Sequence, residues 1–159
     1  APKRLVAIAE WKRVNTQLRL GAALEVDGIV TAGISFLATV LAEYPDENVT
    51  LLLQAEIKQK PRPFARIDWR GSLHPNMKPQ CGAMRFIDVG RTHFHDTRLH
   101  RHIDFDELFL GNLNLPAASR IDPEPPSLKE LLAFSATLLH IENLTEIPTP
   151  PWQPRTFTA

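Results

Sequence analysis

Apolar and polar side chains alternate with the period of a half-buried strand over much of the first hundred residues. Residues 4–10 open with an apolar run of strand length. Thr16 to Leu20 then alternate, and Leu24 and Val26 lead into Asp27-Gly28, a pair that favours a tight hairpin turn. From Val30 to Leu41, Ile34, Phe36, Ala38 and Val40 fall on one face and Leu37 and Leu41 on the other; the glycines and β-branched residues around them favour strand over helix. Tyr44 to Asn48 reads as a turn, and Val49 to Lys60 as the next strand, interrupted by Pro61 and Pro63. Phe64 to Trp69 resumes the alternation, with Phe64, Arg66, Asp68 and Arg70 on one side and Ala65, Ile67 and Trp69 on the other. Gly71 to Gly82 reads as a long loop, and Met84 to His95 as a strand broken at Gly90.

The period changes in the last third. Four prolines between Pro116 and Pro126 predict irregular chain, and Asn112 to Pro116 a polar, proline-stopped connection. Ser127 followed by Glu130 forms a capping box, after which Leu128, Leu131, Leu132, Ser135, Leu138 and Leu139 recur at helical spacing, predicting a helix over 128–140. The fold class expected is α+β: a mainly antiparallel, meander-like sheet with one principal C-terminal helix packed on one face. Residues 1–147 form the single expected domain. Residues 148–159 form a Pro-rich tail, read as a chain end held down by Trp152 or as a ligand for a Pro-recognising module.

Composition supports a folded chain. Of 159 residues, 43% are hydrophobic and 23% charged, enough for one substantial core. The single cysteine, Cys81, excludes an intramolecular disulfide and a Cys-rich zinc site, and suits the reducing cytoplasm. No apolar stretch is long enough for a membrane-spanning helix, so no membrane partner is expected. Walker A, dinucleotide-binding, His-Glu-x-x-His and nucleophile-elbow motifs are absent from the sequence.

Charge alters the picture. The net is zero, with 18 basic and 18 acidic residues, but residues 51–102 hold ten basic and four acidic side chains and five of the six histidines. A basic, His-bearing sheet face predicts a site for RNA or DNA backbone, with Arg66, Arg70, Lys78, Arg85 and Arg98 as its cations. His93 and His95, two apart on a strand, share a face with Arg91. As acid and base beside Arg91 and Arg70, they are the catalytic set expected of a small ribonuclease toxin. The same pair can instead ligate a divalent metal such as zinc, with a third ligand from His74 or His100. The pair faintly resembles that of cupin-type metal sites, but the glutamate expected a few residues later is missing. A third expectation is a non-enzymatic module that binds a protein partner or self-associates through a sheet edge.

Overall fold

The computed structural model describes residues 1–111 and 113–156. Eight strands form one antiparallel sheet: β1 (Lys3–Val6), β2 (Lys12–Val14), β3 (Gln17–Val26), β4 (Ile29–Leu41), β5 (Val49–Ile57), β6 (Lys60–Trp69), β7 (His93–Asp96) and β8 (Ser119–Arg120). From β3 to β8 each strand pairs with the next, as a meander; β1 and β2 both pair with β3. The one α-helix among the described residues, α1 (Leu128–Leu139), lies over one face. The α+β class expected from the pattern is the observed one.

Alternation decides which face carries the core. Leu18, Leu20, Leu24, Phe36, Ala38, Val40, Val49, Leu51, Leu53, Ala65, Ile67, Trp69 and Phe94 all point under α1, where they meet Leu131, Leu132 and Leu139. Trp69 is fully buried, and its indole N–H donates to Pro125 O at 2.9 Å. The side chains one residue out of phase, including Arg66, Asp68, His93 and His95, therefore occupy the opposite face.

Turn chemistry explains the hairpins. Asp27 and Gly28 both have positive φ, as the two central residues of a type I′ turn require. Lys58 and Gln59 do the same between β5 and β6, although neither is a usual turn residue. The strand expected from 49 to 60 thus ends at Ile57, and β6 begins before its prolines. Pro61 and Pro63 are accommodated near the hairpin end, and the register shifts between Leu53 and Gln54, leaving Phe64 as the extra residue of a bulge.

Several expected elements are corrected. The first strand stops at Val6, since Ala7 takes positive φ. The strand expected over 84–95 is reduced to His93–Asp96; a 3-10 turn occupies Pro79–Met84, and Phe86 and Gly90 have positive φ. Arg91 therefore precedes the strand, where the alternation that would align it with His93 and His95 does not extend. In the expected polar connection, Asn112 lies outside the described residues, while Leu115 to Ala118 are buried.

The helix bounds agree with the sequence pattern. Glu130 N donates to Ser127 Oγ at 3.3 Å, closing the capping box. Ser127→Ala is expected to cost about 1 kcal/mol of stability, measurable by urea unfolding; an unchanged midpoint would show the cap to be dispensable. Trp152 Nε1 donates to Leu41 O at 2.9 Å and Gln153 N to Ala42 O, so the tail runs against the end of β4. Residues 157–159 of the tail lie outside the described residues. No helix of the described residues is long and apolar enough to cross a membrane.

Candidate metal centre

Two adjacent strands and two loops build the site. In the β6–β7 register Arg66 faces His95 and Asp68 faces His93, so all four side chains share the face away from the core. His74 arrives on the loop between β6 and β7. Its amide donates to Gly90 O and its carbonyl accepts from Val89 N, which clamps it to the chain just before β7. The buried segment 115–118 closes the site from above. Its carbonyls at Leu115 and Pro116 take His95 and His74; its amides at Ala117 and Ala118 take His100 and Asn76.

The tautomers follow from these partners, because a carbonyl can only accept. His95 Nδ1 donates to Leu115 O at 2.6 Å, and His93 Nδ1 donates to Gly90 O at 2.9 Å. Both therefore present Nε2 to the site. His74 Nε2 donates to Pro116 O at 3.0 Å, leaving Nδ1 as its lone pair. One ligand nitrogen from each of the three rings lies within 4.8 Å of the other two. His93 and His95 are buried, and His74 is half-exposed.

A carboxylate and a guanidinium border this trio. Asp68 Oδ2 lies 3.3 Å from His93 Nε2 and 3.6 Å from His95 Nε2. It also accepts from Arg66 Nε at 2.8 Å, while Asp68 Oδ1 accepts from Thr50 Oγ1 at 2.9 Å. Arg66 Nη2 donates to His95 Nε2 at 2.8 Å. Burial pushes the Asp68 carboxyl up, but the His93 contact, the Arg66 charge and the Thr50 hydroxyl outweigh it and hold it well below the usual carboxylate range. Burial first, and then the Arg66 charge, push His95 down to about 3. Burial likewise lowers His74. His95 is therefore a neutral donor at ordinary pH.

A cleft of about 200 Å³ opens beside the trio, lined by His74, His93, Arg66, Asp68, Asn48 and Ser72 among others. A larger, mainly apolar cleft of about 470 Å³ lies between α1 and the tail, around Leu132, Ile147 and Trp152, without convergent ligand atoms.

The remaining expected site residues go elsewhere. His100 is buried with both nitrogens engaged, Nδ1 donating to Asp96 O at 2.8 Å and Nε2 accepting from Ala117 N at 2.9 Å, so it has no lone pair for a metal. Arg91 braces the loop through Gly71 O and Arg70 O. Arg70 takes positive φ, leaves the row of Arg66 and Asp68, and stacks on Trp69 with Glu124 as its ion partner. Of the two arginines read onto the side of Asp68, Arg66 alone pairs with it. Arg85 stacks on Phe86, and Lys78 precedes the 3-10 turn. Arg98 pairs with Asp96 and lines the clefts beside Leu138 and His140 at the end of α1.

Sequence reasoning missed the carbonyls of Leu115 and Pro116, which carry no side-chain signature. It also missed Thr50; its one signal is its in-phase position on β5, opposite Asp68. Comparison with protein-family models, curated proteins and solved structures gives no match for this chain.

Proposed function

We propose that this protein binds one divalent metal ion through His74, His93 and His95 and uses it as a Lewis acid toward a small ligand entering the adjoining cleft. One observation carries this reading. Each ring has one nitrogen held by a backbone carbonyl, which leaves one free of a carbonyl, and one nitrogen from each of the three rings lies within 4.8 Å of the other two. A carbonyl partner that fixes the tautomer and orientation of a ligating histidine is the usual support of a metal site. Imidazole donors suit zinc, copper, nickel or iron. Three protein ligands with an open side toward a cleft is the pattern of a catalytic centre, where the metal lowers the pKa of bound water and polarises a substrate oxygen.

The metal reading has more support than metal-free acid–base chemistry. With its pKa pushed down to about 3, His95 has no proton on Nε2 to give near neutrality, and Arg66 already occupies the lone pair that a base would use. A nucleic-acid role draws only on the positive charge of the middle segment, and there Arg66, Arg70 and Arg98 are each paired with an acidic side chain. The single buried thiol of Cys81 suits a reducing compartment such as the cytoplasm.

Metal analysis tests the proposal. Metal-stripped protein is expected to take up one zinc ion per chain in a calorimetric titration. The His93→Ala/His95→Ala variant is expected to take up none. Since His74 is half-exposed, His74→Ala should stay folded and lose at least tenfold in affinity. Full occupancy in the double variant, or no uptake by folded native protein, would overturn the reading.

A further inference from the structure

Arg66 stands where a cation bound to His95 would have to stand. Its Nη2 donates to the Nε2 lone pair of His95 at 2.8 Å, and that lone pair is the one His95 has left, because Nδ1 is held by Leu115 O. A metal ion and this guanidinium cannot use the lone pair together. Tetrahedral zinc at its usual bond length sets its ligand nitrogens about 3.4 Å apart, whereas here the limit is 4.8 Å. That limit leaves the nitrogens near enough to share one ion, but Arg66 must withdraw first.

The place left for Arg66 is the cleft. It already lines that space, together with Asn48 and Ser72. Its side chain is 27% exposed, and Nε stays anchored on Asp68 Oδ2 at 2.8 Å. Rotation about that anchor turns the Nη edge toward the metal's open side. A divalent ion, Asp68 and Arg66 together leave the cleft with a net charge of about +2, taking the three histidines as neutral. A guanidinium fork beside a metal ion matches an oxyanion with one oxygen on the metal and another on the fork.

We propose that metal binding displaces Arg66 from His95 and converts it into the anion clamp of the cleft, so that the site's ligand is a small carboxylate or phosphate whose binding is coupled to that of the metal. The proposal rests on the metal reading above. Two consequences follow. Arg66 opposes metal binding when no anion is present, and the anion tightens the metal by recruiting Arg66. Coupling of this kind is reciprocal, so the metal tightens the anion by the same factor.

Cobalt(II) is a suitable probe, because its visible spectrum reports coordination while a competing chelator reports affinity. Native protein, Arg66→Gln and Arg66→Lys would each be titrated with cobalt alone, with acetate, and with inorganic phosphate. Native protein is expected to bind cobalt about tenfold more tightly with the preferred anion, with a change in the visible band. A larger effect of acetate assigns a carboxylate ligand, and a larger effect of phosphate a phosphate. Arg66→Gln is expected to bind cobalt more tightly than native protein without anion and to lose the anion enhancement. Arg66→Lys keeps the charge but not the fork, and is expected to lose most of the enhancement while remaining weaker than Arg66→Gln for cobalt alone. Equal cobalt affinity and equal anion enhancement in native protein and Arg66→Gln would overturn the clamp and leave the metal reading standing. Absence of any anion enhancement in native protein would likewise overturn the clamp. Failure of native protein to bind cobalt or zinc at all would overturn the metal reading, and the clamp with it.

Discussion

Acidification of metal-stripped protein from pH 7 to pH 4 is expected to remove about 3 kcal/mol of stability through His95 alone. The ring sits in the sheet with its side chain 1% exposed, next to the Arg66 guanidinium. Burial and that charge push its pKa down to about 3, while in the unfolded chain it titrates near 6.5. Between those values the unfolded chain binds the extra proton and the folded chain does not. The stability is therefore complete above about pH 6.5 and is lost progressively as pH falls toward 3. Burial lowers His74 and His100 as well, with the same sign and the same upper limit. At His100 the geometry acts in the same direction as burial, since protonation of Nε2 would remove the acceptor of the buried Ala117 amide. Asp68, held below the usual carboxylate range, extends the loss below about pH 4. Urea midpoints measured at half-unit steps from pH 7.5 to 4 test the expectation. A flat profile over that interval would show the histidines to be far less desolvated than their contacts require. A folded His95→Gln variant should be less stable at pH 7 and less steeply pH-dependent below 6.5.

Features encoded by local chemistry were legible in the sequence. The period-2 alternation on β4, β5 and β6 separates the core row of Ala65, Ile67 and Trp69 from Arg66 and Asp68, but the other two members read into that second row leave it: Phe64 at the bulge packs against the core and Arg70 takes positive φ. Ser127 and Glu130 mark the helix start, and Asp27-Gly28 marks its hairpin, because one or two side chains satisfy the geometry there. Features that depend on distant partners were not legible. The Lys58-Gln59 turn carries no glycine or asparagine; the pairing of β5 with β6 imposes its positive φ values. Asn112 to Pro116 reads as a polar connection because of its two asparagines, yet Leu115 and Pro116 are buried together with Ala117 and Ala118. Four side chains from elsewhere, on His74, Asn76, His95 and His100, satisfy their backbone groups. The same logic divides the histidines. His74 and His100 were equal candidates for the third ligand by spacing. Only the fold shows that His100 has both nitrogens occupied while His74 is clamped beside His93.

Replacing Asp68 by asparagine is expected to cost about 2 kcal/mol in the metal-stripped protein and to weaken metal binding by about 10- to 100-fold in the loaded one. The carboxylate is the only acidic group within reach of the trio among the described residues, and its side chain is 19% exposed. It accepts from Arg66 and Thr50 and faces the His93 Nε2 lone pair, so a cation must lie between His93 and Asp68 for their contact to be attractive. A metal ion can fill that role. Asparagine keeps the shape and an acceptor for Thr50 but removes the negative charge. Arg66 then loses its ion partner inside a half-buried site, and a loaded metal loses its nearest neutralising group. Breaking a fully buried pair costs about 3–5 kcal/mol, and the partial exposure here reduces that to the smaller figure given. Urea unfolding reads the first effect and cobalt titration the second. Thr50→Val serves as the control: it removes one hydrogen bond and no charge, with a cost of about 1 kcal/mol and little change in metal affinity. If Asp68→Asn matched native protein in both measurements, the carboxylate would be a bystander and the positive Arg66 would have to be neutralised elsewhere. If it lost stability but kept its metal affinity, Asp68 would serve Arg66 alone, and the charge that draws the ion in would come from the bound anion.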